Sequence, residues 1–438
     1  MRTLFTISLS CLLIFFFTSP LTAQWIMQNS GTTNCLRAVS FTDANTGTVV
    51  GDSGIILRTT NGGVTWTPQS SGTTRFLSGV SFTDANTGTV VGDSGTILRT
   101  TNGGATWIPQ PSGTILSFHG VCFTDANNGT VVGGGKGDLI FPPPGIILHT
   151  TNGGITWMKQ FETDTASVNA VSFTDSDTGT AVGGGWNNNV GNFYLILRTT
   201  DGGVTWMCQS TLAYYILFGV SFTDGMTGTA IGDFYSDYCA FEILRTTDGC
   251  ITWTSQFSPK CVALESICFT DTDNGTAVGR SGCRSSTGYI FRTTDGGTNW
   301  ISQSSGTANK LHAVCFTDAN MGTVVGDSGT ILHTTNGGVT LVEGENQRGV
   351  PQQYLLSQNY PNPFNPSTNI TFTLPSRSFV SLKVFDLLGR EVATIVLEVL
   401  SAGDHSCQWN AENFPSGVYF YRLQAGTFIE TKKLLLLK

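Results

Sequence analysis

Short apolar runs alternate with clusters of Gly, Asp, Asn, Ser and Thr along most of the chain, and such clusters are where a chain turns. In its first instance the pattern predicts four strands in succession: A over 36–42, B over 48–51, C over 55–60 and D over 65–69. The segments Asp43 to Gly47, Asp52-Ser53-Gly54 and Asn61-Gly62-Gly63 are the turns between them. Asp43 is placed to bond nearby backbone N–H groups, and Gly47 is expected to take a positive φ.

The unit repeats. F-T-D-x-x-x-G-T starts at Phe41, Phe82, Phe123, Phe173, Phe222, Phe269 and Phe316, at spacings of 41, 41, 50, 49, 47 and 47 residues. A second phrase, T-T-[N/D]-G-G-x-T-W, follows each copy, from Thr59, Thr100, Thr150, Thr199, Thr246, Thr293 and Thr334. A four-stranded antiparallel unit of about 40–45 residues is the period of a β-propeller blade. The last copy ends V-T-L, with Leu341 where the other six carry Trp, whereas Q-W-I-M-Q-N-S-G at 24–31 matches the strand D sequence W-T-P-Q-S-S-G. An all-β fold follows: a seven-bladed propeller over 24–342 whose N-terminal strand completes the last blade, with Trp25 filling the place of Leu341.

The ends differ from the middle. Arg2, the apolar run Leu9 to Phe17 and Leu21-Thr22-Ala23 make 1–23 a secretory signal peptide. Residues 343–353 break the periodicity and read as a linker, and 354–438 hold alternating strands suited to a small Ig-like β-sandwich. No run approaches the ~20 apolar residues of a membrane span. With 53 glycines, only 12% charged residues and a net charge of −8, the chain is not disordered and presents no basic stripe for nucleic acid. Cys122, Cys268 and Cys315 replace a repeated serine and are expected as buried thiols. Cys208, Cys239, Cys250, Cys261 and Cys283 leave room for one or two disulfides of undetermined pairing. Nothing has zinc-ligand spacing, so neither metal nor cofactor is expected.

Residues 354–438 carry, in order, Y-P-N-P-F-N-P, D-L-L-G-R-E-V, S-G-V-Y-F-Y-R-L and K-K-L-L-L-L-K. This segment resembles the type A C-terminal sorting domain of the type IX secretion system. The resemblance implies a Gram-negative bacterium, the type IX machinery as partner, and a mature chain secreted or held on the outer cell surface. The T-T-[N/D]-G-G-x-T-W phrase resembles the Asp-box of BNR-repeat propellers, and with I-L-R-T-T and V-G-D-S-G it is most similar to the photosystem II assembly-factor family. The box position holds Asn61, Asn102, Asn152, Asp201, Asp248, Asp295 and Asn336, and a polar acceptor for turn amides suits a structural role. In the fifth box Cys250 replaces the second glycine, and a distorted turn is expected there.

Three sets of residues are candidates for function. Arg58, Arg99, His149, Arg198, Arg245, Arg292 and His333 precede the boxes, and each is expected to pair with the acidic group of an F-T-D turn or to join a basic ring. The B–C connections lengthen in repeats three to six and carry Trp186, Tyr194, Tyr235, Tyr238 and Tyr289, with Phe141, Phe193, Phe234 and Phe241, as an aromatic face for protein or glycan. Four residues before each F-T-D phenylalanine, inside nearly constant flanks, stand Arg37, Ser78, His119, Asn169, Phe218, Glu265 and His312, near the channel mouth. A sialidase or xyloglucanase type of glycoside hydrolase is the alternative. It needs paired unrepeated carboxylates, and Glu265 is the best candidate but has no evident partner in the sequence. The reading is a secreted or cell-surface propeller that binds an unknown surface protein or glycan, with no catalytic residues.

Overall fold

The computed structural model describes residues 25–135, 144–187, 191–209, 215–234, 241–257, 262–281, 287–338, 354–375, 378–400, 403–426 and 428–438. The expected signal peptide and linker lie outside these residues. The chain divides into two compact units, Met1–Thr340 and Leu341–Lys438.

The first unit holds seven four-stranded antiparallel sheets, each in simple up-and-down order. Blade 1 consists of Leu36–Phe41, Gly47–Gly51, Ile56–Thr59 and Thr67–Gln69. The first strands of blades 2 to 7 are Leu77–Phe82, Ser117–Phe123, Ala166–Phe173, Tyr215–Phe222, Val262–Phe269 and Leu311–Phe316. These first strands pack side by side around a ring, and that of blade 7 packs on that of blade 1. Blade 7 takes its fourth strand from the other end of the unit: Ile26–Gln28 pairs antiparallel with Ile331–Thr334, in the register Ile26 to His333 and Gln28 to Ile331. Trp25, 3% exposed, meets Phe316 edge to face at 5.9 Å and donates its indole N–H to Gln303 Oε1 at 2.9 Å. The ring is therefore closed by main-chain hydrogen bonds and an aromatic anchor, which removes the open edges of the first and last blades.

The repeated phrases stitch the blades. In every blade the F-T-D phenylalanine meets a tryptophan edge to face, with centroids 5.9–6.2 Å apart. The residue before the phenylalanine accepts the backbone N–H of a residue in the next blade, as Ser40 Oγ does from Phe82 at 3.2 Å and Ser81 Oγ from Phe123 at 3.1 Å. Cys122 and Cys268 take the same station toward Phe173 and Phe316, and burial pushes both thiols up. Cys315 does so toward Phe41, and burial pushes it up to about 12. The three residues, expected to be buried, are half-buried packing thiols that also act as acceptors. Cys250 is a buried free thiol and Cys208 is exposed, whereas Cys239, Cys261 and Cys283 lie outside the described residues.

Three local expectations are corrected. Gly47 and its six counterparts do not have positive φ. Glycine is required there because a Cβ at Gly47 would lie 2.4 Å from Cζ of Phe41, whose ring covers it. The repeated arginines do not bridge to the F-T-D carboxylates. Arg58 Nη1 donates to Thr48 Oγ1 at 2.6 Å, Nη2 donates to the Ala85 carbonyl of blade 2, and the guanidinium lies 4.6 Å over the Phe82 ring. The carboxylate of Asp43 is occupied by the amides of Asn45 and Thr46 at 2.7 and 2.9 Å, so the arginine turns to a carbonyl and a ring instead. The fifth box is not distorted: Cys250 adopts φ +75° and keeps the turn bonds, its N–H to Thr246 Oγ1 at 3.1 Å and Thr252 N–H to Asp248 Oδ1 at 2.9 Å.

The second unit is a β-sandwich. A three-stranded sheet of Leu355–Leu356, Ser367–Leu374 and Gly403–Asn410 faces a four-stranded sheet in the order Glu391–Leu400, Ser378–Phe385, Gly417–Ala425, Phe428–Leu436. Alternate residues of Ser367–Leu374 point inward, and the core gathers Phe372, Leu382, Trp409 and Tyr421. The Tyr421 hydroxyl is satisfied by the Ser357 carbonyl at 2.6 Å.

Candidate functional site

Each first strand of the propeller carries a β-bulge in its pairing with the second. The register skips Arg37, Ser78, His119, Asn169, Phe218, Glu265 and His312 in turn. A bulged residue leaves the ladder and its side chain is re-aimed. The repeat thus frees one side chain per blade at the same height of the innermost strand. All seven line one cavity of about 410 Å³, joined by Phe241, Ala263, Leu264 and Arg280.

Blades 6, 7 and 1 contribute an ionic wall. Asp52 holds Arg37 through two bonds, Nε to Oδ1 at 2.8 Å and Nη2 to Oδ2 at 2.9 Å. His312 lies between two carboxylates, with Nδ1 2.5 Å from Glu265 Oε2 and Nε2 2.6 Å from Asp327 Oδ1. Arg280 Nε donates to Glu265 Oε1 at 3.0 Å. Burial pulls the His312 pKa down, but the bonds to Glu265 and Asp327 outweigh it and hold it above the ordinary histidine value. Burial raises Glu265 and Asp327, yet the bond from His312 leaves both below their ordinary values. Each ring nitrogen of His312 lies within bonding distance of a carboxylate, which favours the imidazolium, while Arg37 Nη1 at 3.4 Å from Nε2 opposes it.

Blades 2 to 5 form a neutral wall. Ser78 Oγ donates to the Phe118 carbonyl at 2.5 Å and Asn169 Nδ2 to the Leu217 carbonyl at 2.9 Å, each reaching the residue before the bulge of the next blade. Ser167 Oγ donates to Asn169 Oδ1 at 2.9 Å and lies 3.4 Å from His119 Nδ1. Phe218, 39% exposed, stands among these polar groups.

Among the described residues the loop aromatics form no comparable face. Tyr235, Tyr238 and Phe141 lie outside the described residues, as do the side chains of Trp186 and Phe234. The Trp186 backbone pairs with Asn192 in a long hairpin. Tyr194, expected in an exposed loop, is a core residue packed with Val182, Ile196 and Leu217, because the hairpin strands 179–187 and 191–199 run on through the insert. Tyr289 is half-buried and stacks on Phe291 with centroids 6.1 Å apart, so it braces its own blade. Phe193 packs partly buried on a core, and Phe241 is buried and joins the channel cavity.

The box residues serve the turns. Asn61 Oδ1 accepts the Thr65 N–H and its Nδ2 donates to Thr65 Oγ1, both at 3.0 Å. Asp201 accepts the Thr205 N–H at 2.9 Å and the Thr205 hydroxyl at 2.6 Å. Asn102, Asn152 and Asp248 follow the same scheme, Asp295 accepts instead from the Asn299 N–H at 2.9 Å and its side-chain amide at 2.7 Å, and Asn336 accepts the Gly338 N–H at 3.2 Å. Amide and acid interchange because the partner threonine hydroxyl can accept or donate. Among the described residues no group of three or more His, Cys, Asp or Glu could hold a metal, and no helix is long and apolar enough to cross a membrane.

Comparison with known proteins follows this division. Residues 358–437 match the secretion system C-terminal sorting domain, and residues 69–162 match the photosynthesis system II assembly factor YCF48. Among solved structures, YCF48 bound to D1 peptide is similar at 19% identity and a TM-score of 0.55, over 72% of this chain and 98% of that one. YCF48 from Cyanidioschyzon merolae is similar at 21% identity and a TM-score of 0.55, over 72% and 99%. PorZ, a surface component of the type IX secretion system of Porphyromonas gingivalis, is matched at 12% identity and a TM-score of 0.48, over 94% and 60%. No curated protein matches the chain.

Proposed function

For a chain that joins a YCF48-like propeller to a type IX secretion sorting domain, we propose the role of an exported recognition module that holds its ligand at the channel mouth. One observation carries the reading: seven bulges bring the most variable position of a monotonous repeat into one cavity. A repeat kept for its frame alone has no need of six different residue types across seven convergent stations. The ligand comes from a surface protein or a glycan, and the type IX machinery is the partner of the sorting domain.

The chemistry of the cavity supports binding without catalysis. A glycosidase needs one carboxyl kept protonated as a general acid, with a raised pKa. Glu265 is held in the opposite sense, ionised by His312 and Arg280, and Asp52 is committed to Arg37. The D1 peptide bound to a structurally similar propeller favours a peptide segment as the second reading. The test is a binding screen of the full chain against surface proteins and oligosaccharides, repeated with the double variant His119→Ala, Asn169→Ala. Loss of a captured ligand in the folded variant is the expected result, and unchanged capture would place recognition elsewhere.

A further inference from the structure

Resting on the channel-mouth reading, we infer that the ligand group received there is an uncharged saccharide, with a sugar ring stacked on Phe218.

The ionic wall argues against a charged ligand. Three cations, Arg37, Arg280 and His312, face three anions, Asp52, Glu265 and Asp327, and every one is engaged in a bond between 2.5 and 3.0 Å. The wall is therefore neutral as a whole. An ionic ligand gains no unpaired partner, and to make an ion pair it must strip one from a half-buried group, leaving a charge uncompensated. A neutral ligand carrying hydroxyls leaves the pairs intact and bonds to their edges.

The opposite wall argues for a sugar. Six of the seven bulge stations hold polar or charged side chains, and the fifth alone holds an aromatic, Phe218, which remains 39% exposed inside the cavity. An apolar ring left wet in a concave polar site is stabilised by a ligand with one C–H face and a polar rim, the two-sided character of a pyranose. The same cavity presents a hydroxyl, an imidazole and a carboxamide on Ser78, His119 and Asn169, the last on the blade next to Phe218. Ser78 Oγ and Asn169 Nδ2 each spend one bond on a neighbouring carbonyl, which leaves the Ser78 oxygen as an acceptor and the second Asn169 N–H as a donor for sugar hydroxyls. A cavity of about 410 Å³ is near the small end of ligand pockets and suits the end of a chain, one or two rings, rather than the middle of a polymer.

The test uses the full chain against immobilised neutral disaccharides of glucose, galactose, mannose and N-acetylglucosamine, beside glucuronate- and glucosamine-containing counterparts and acidic and basic peptides. At least one neutral sugar is expected to bind, with its charged counterpart no tighter. Phe218→Ala is expected to lower that affinity at least tenfold, and Phe218→Trp to preserve it. Phe218→Asn, which installs the residue found at the same station of blade 4, is the second variant should the alanine form melt early. Capture of peptides or charged sugars alone, or sugar binding indifferent to Phe218 but lost in the His119/Asn169 variant, would overturn the saccharide assignment and leave the channel-mouth reading standing. Binding of any probe that ignores both sets of variants, or no binding of any probe, overturns both.

Discussion

The Asp-box turns and the channel mouth are built by the same repeat and obey opposite rules. At the box blades 1 to 5 use the same bonds to a threonine, so Asn61 and Asp201 differ only in which partner supplies the proton. At the mouth every blade uses the same backbone bulge, yet no neighbouring blades carry the same side chain. The difference lies in what satisfies the main chain. The box turn needs its side chain as an acceptor for an otherwise unpaired N–H, so the residue type is constrained. The bulged residue is already outside the ladder, so its side chain is free to take any chemistry the cavity can use.

Substitutions that break or sharpen this contrast can be ranked. Trp25→Ala removes the anchor of the closing strand and is expected to cost about 3–5 kcal/mol, read from urea unfolding of the full chain. A loss below about 1 kcal/mol would mean that the closing strand contributes little. Gly129→Ala places a methyl 2.3 Å from Cζ of Phe123 and is expected to cost about 1–3 kcal/mol through overpacking, seen as a lowered melting temperature. Asn61→Ala is expected to cost about 1 kcal/mol, whereas Asn61→Asp should match wild type; equal losses would show that the acceptor is not what the box needs.

His312→Gln should act through pH. The His312 pKa is raised, so its contribution is fully present below the ordinary value of about 6.5 and is lost as pH rises through the folded value. The lowered Glu265 and Asp327 contribute above their ordinary carboxyl range and lose this as pH falls through their folded values. His149 and His333, lowered by burial, run against His312 and favour the neutral side. The difference in melting temperature between wild type and His312→Gln isolates the ionic wall. It should be largest near pH 5–6 and shrink toward pH 9, and a flat difference would contradict the imidazolium. Smallest of all, Ser78→Asn moves one mouth side chain to the identity found in blade 4 and should shift stability by no more than about 0.5 kcal/mol.

The frame was legible because the repeat states it twice per blade, and because W-I-M-Q-N-S-G at the start is a strand D phrase out of place. The seven mouth positions were legible as variation between constant flanks, although the bulge that gathers them leaves no mark on the pattern. Asp52 and Asp327 were hidden because they belong to D-S-G turns that recur as punctuation, and Arg280 because it opens an insert. Glu265 therefore looked unpartnered although its partners lie on blades 6 and 7. Tyr194 and Tyr289 were misplaced for a simpler reason: inserted residues lengthened the strands of a hairpin instead of its loop, and period-two burial then drew the rings inward. The arginines before the boxes were paired with the wrong partner because charge suggested a carboxylate, whereas the neighbouring blade offered an unclaimed carbonyl and an aromatic face.

The pairing of Ile26–Gln28 with Ile331–Thr334 also governs how the ring comes apart. Linear repeat arrays fray from their terminal units and need dedicated caps. A circle has no terminal unit, so loss of one blade must wait until two interfaces open together. The segment made first is thus the one that locks last, across a loop of some three hundred residues whose closure entropy delays assembly. Unfolding should start at that clasp and proceed cooperatively, with amide exchange in blade 7 reporting the first opening.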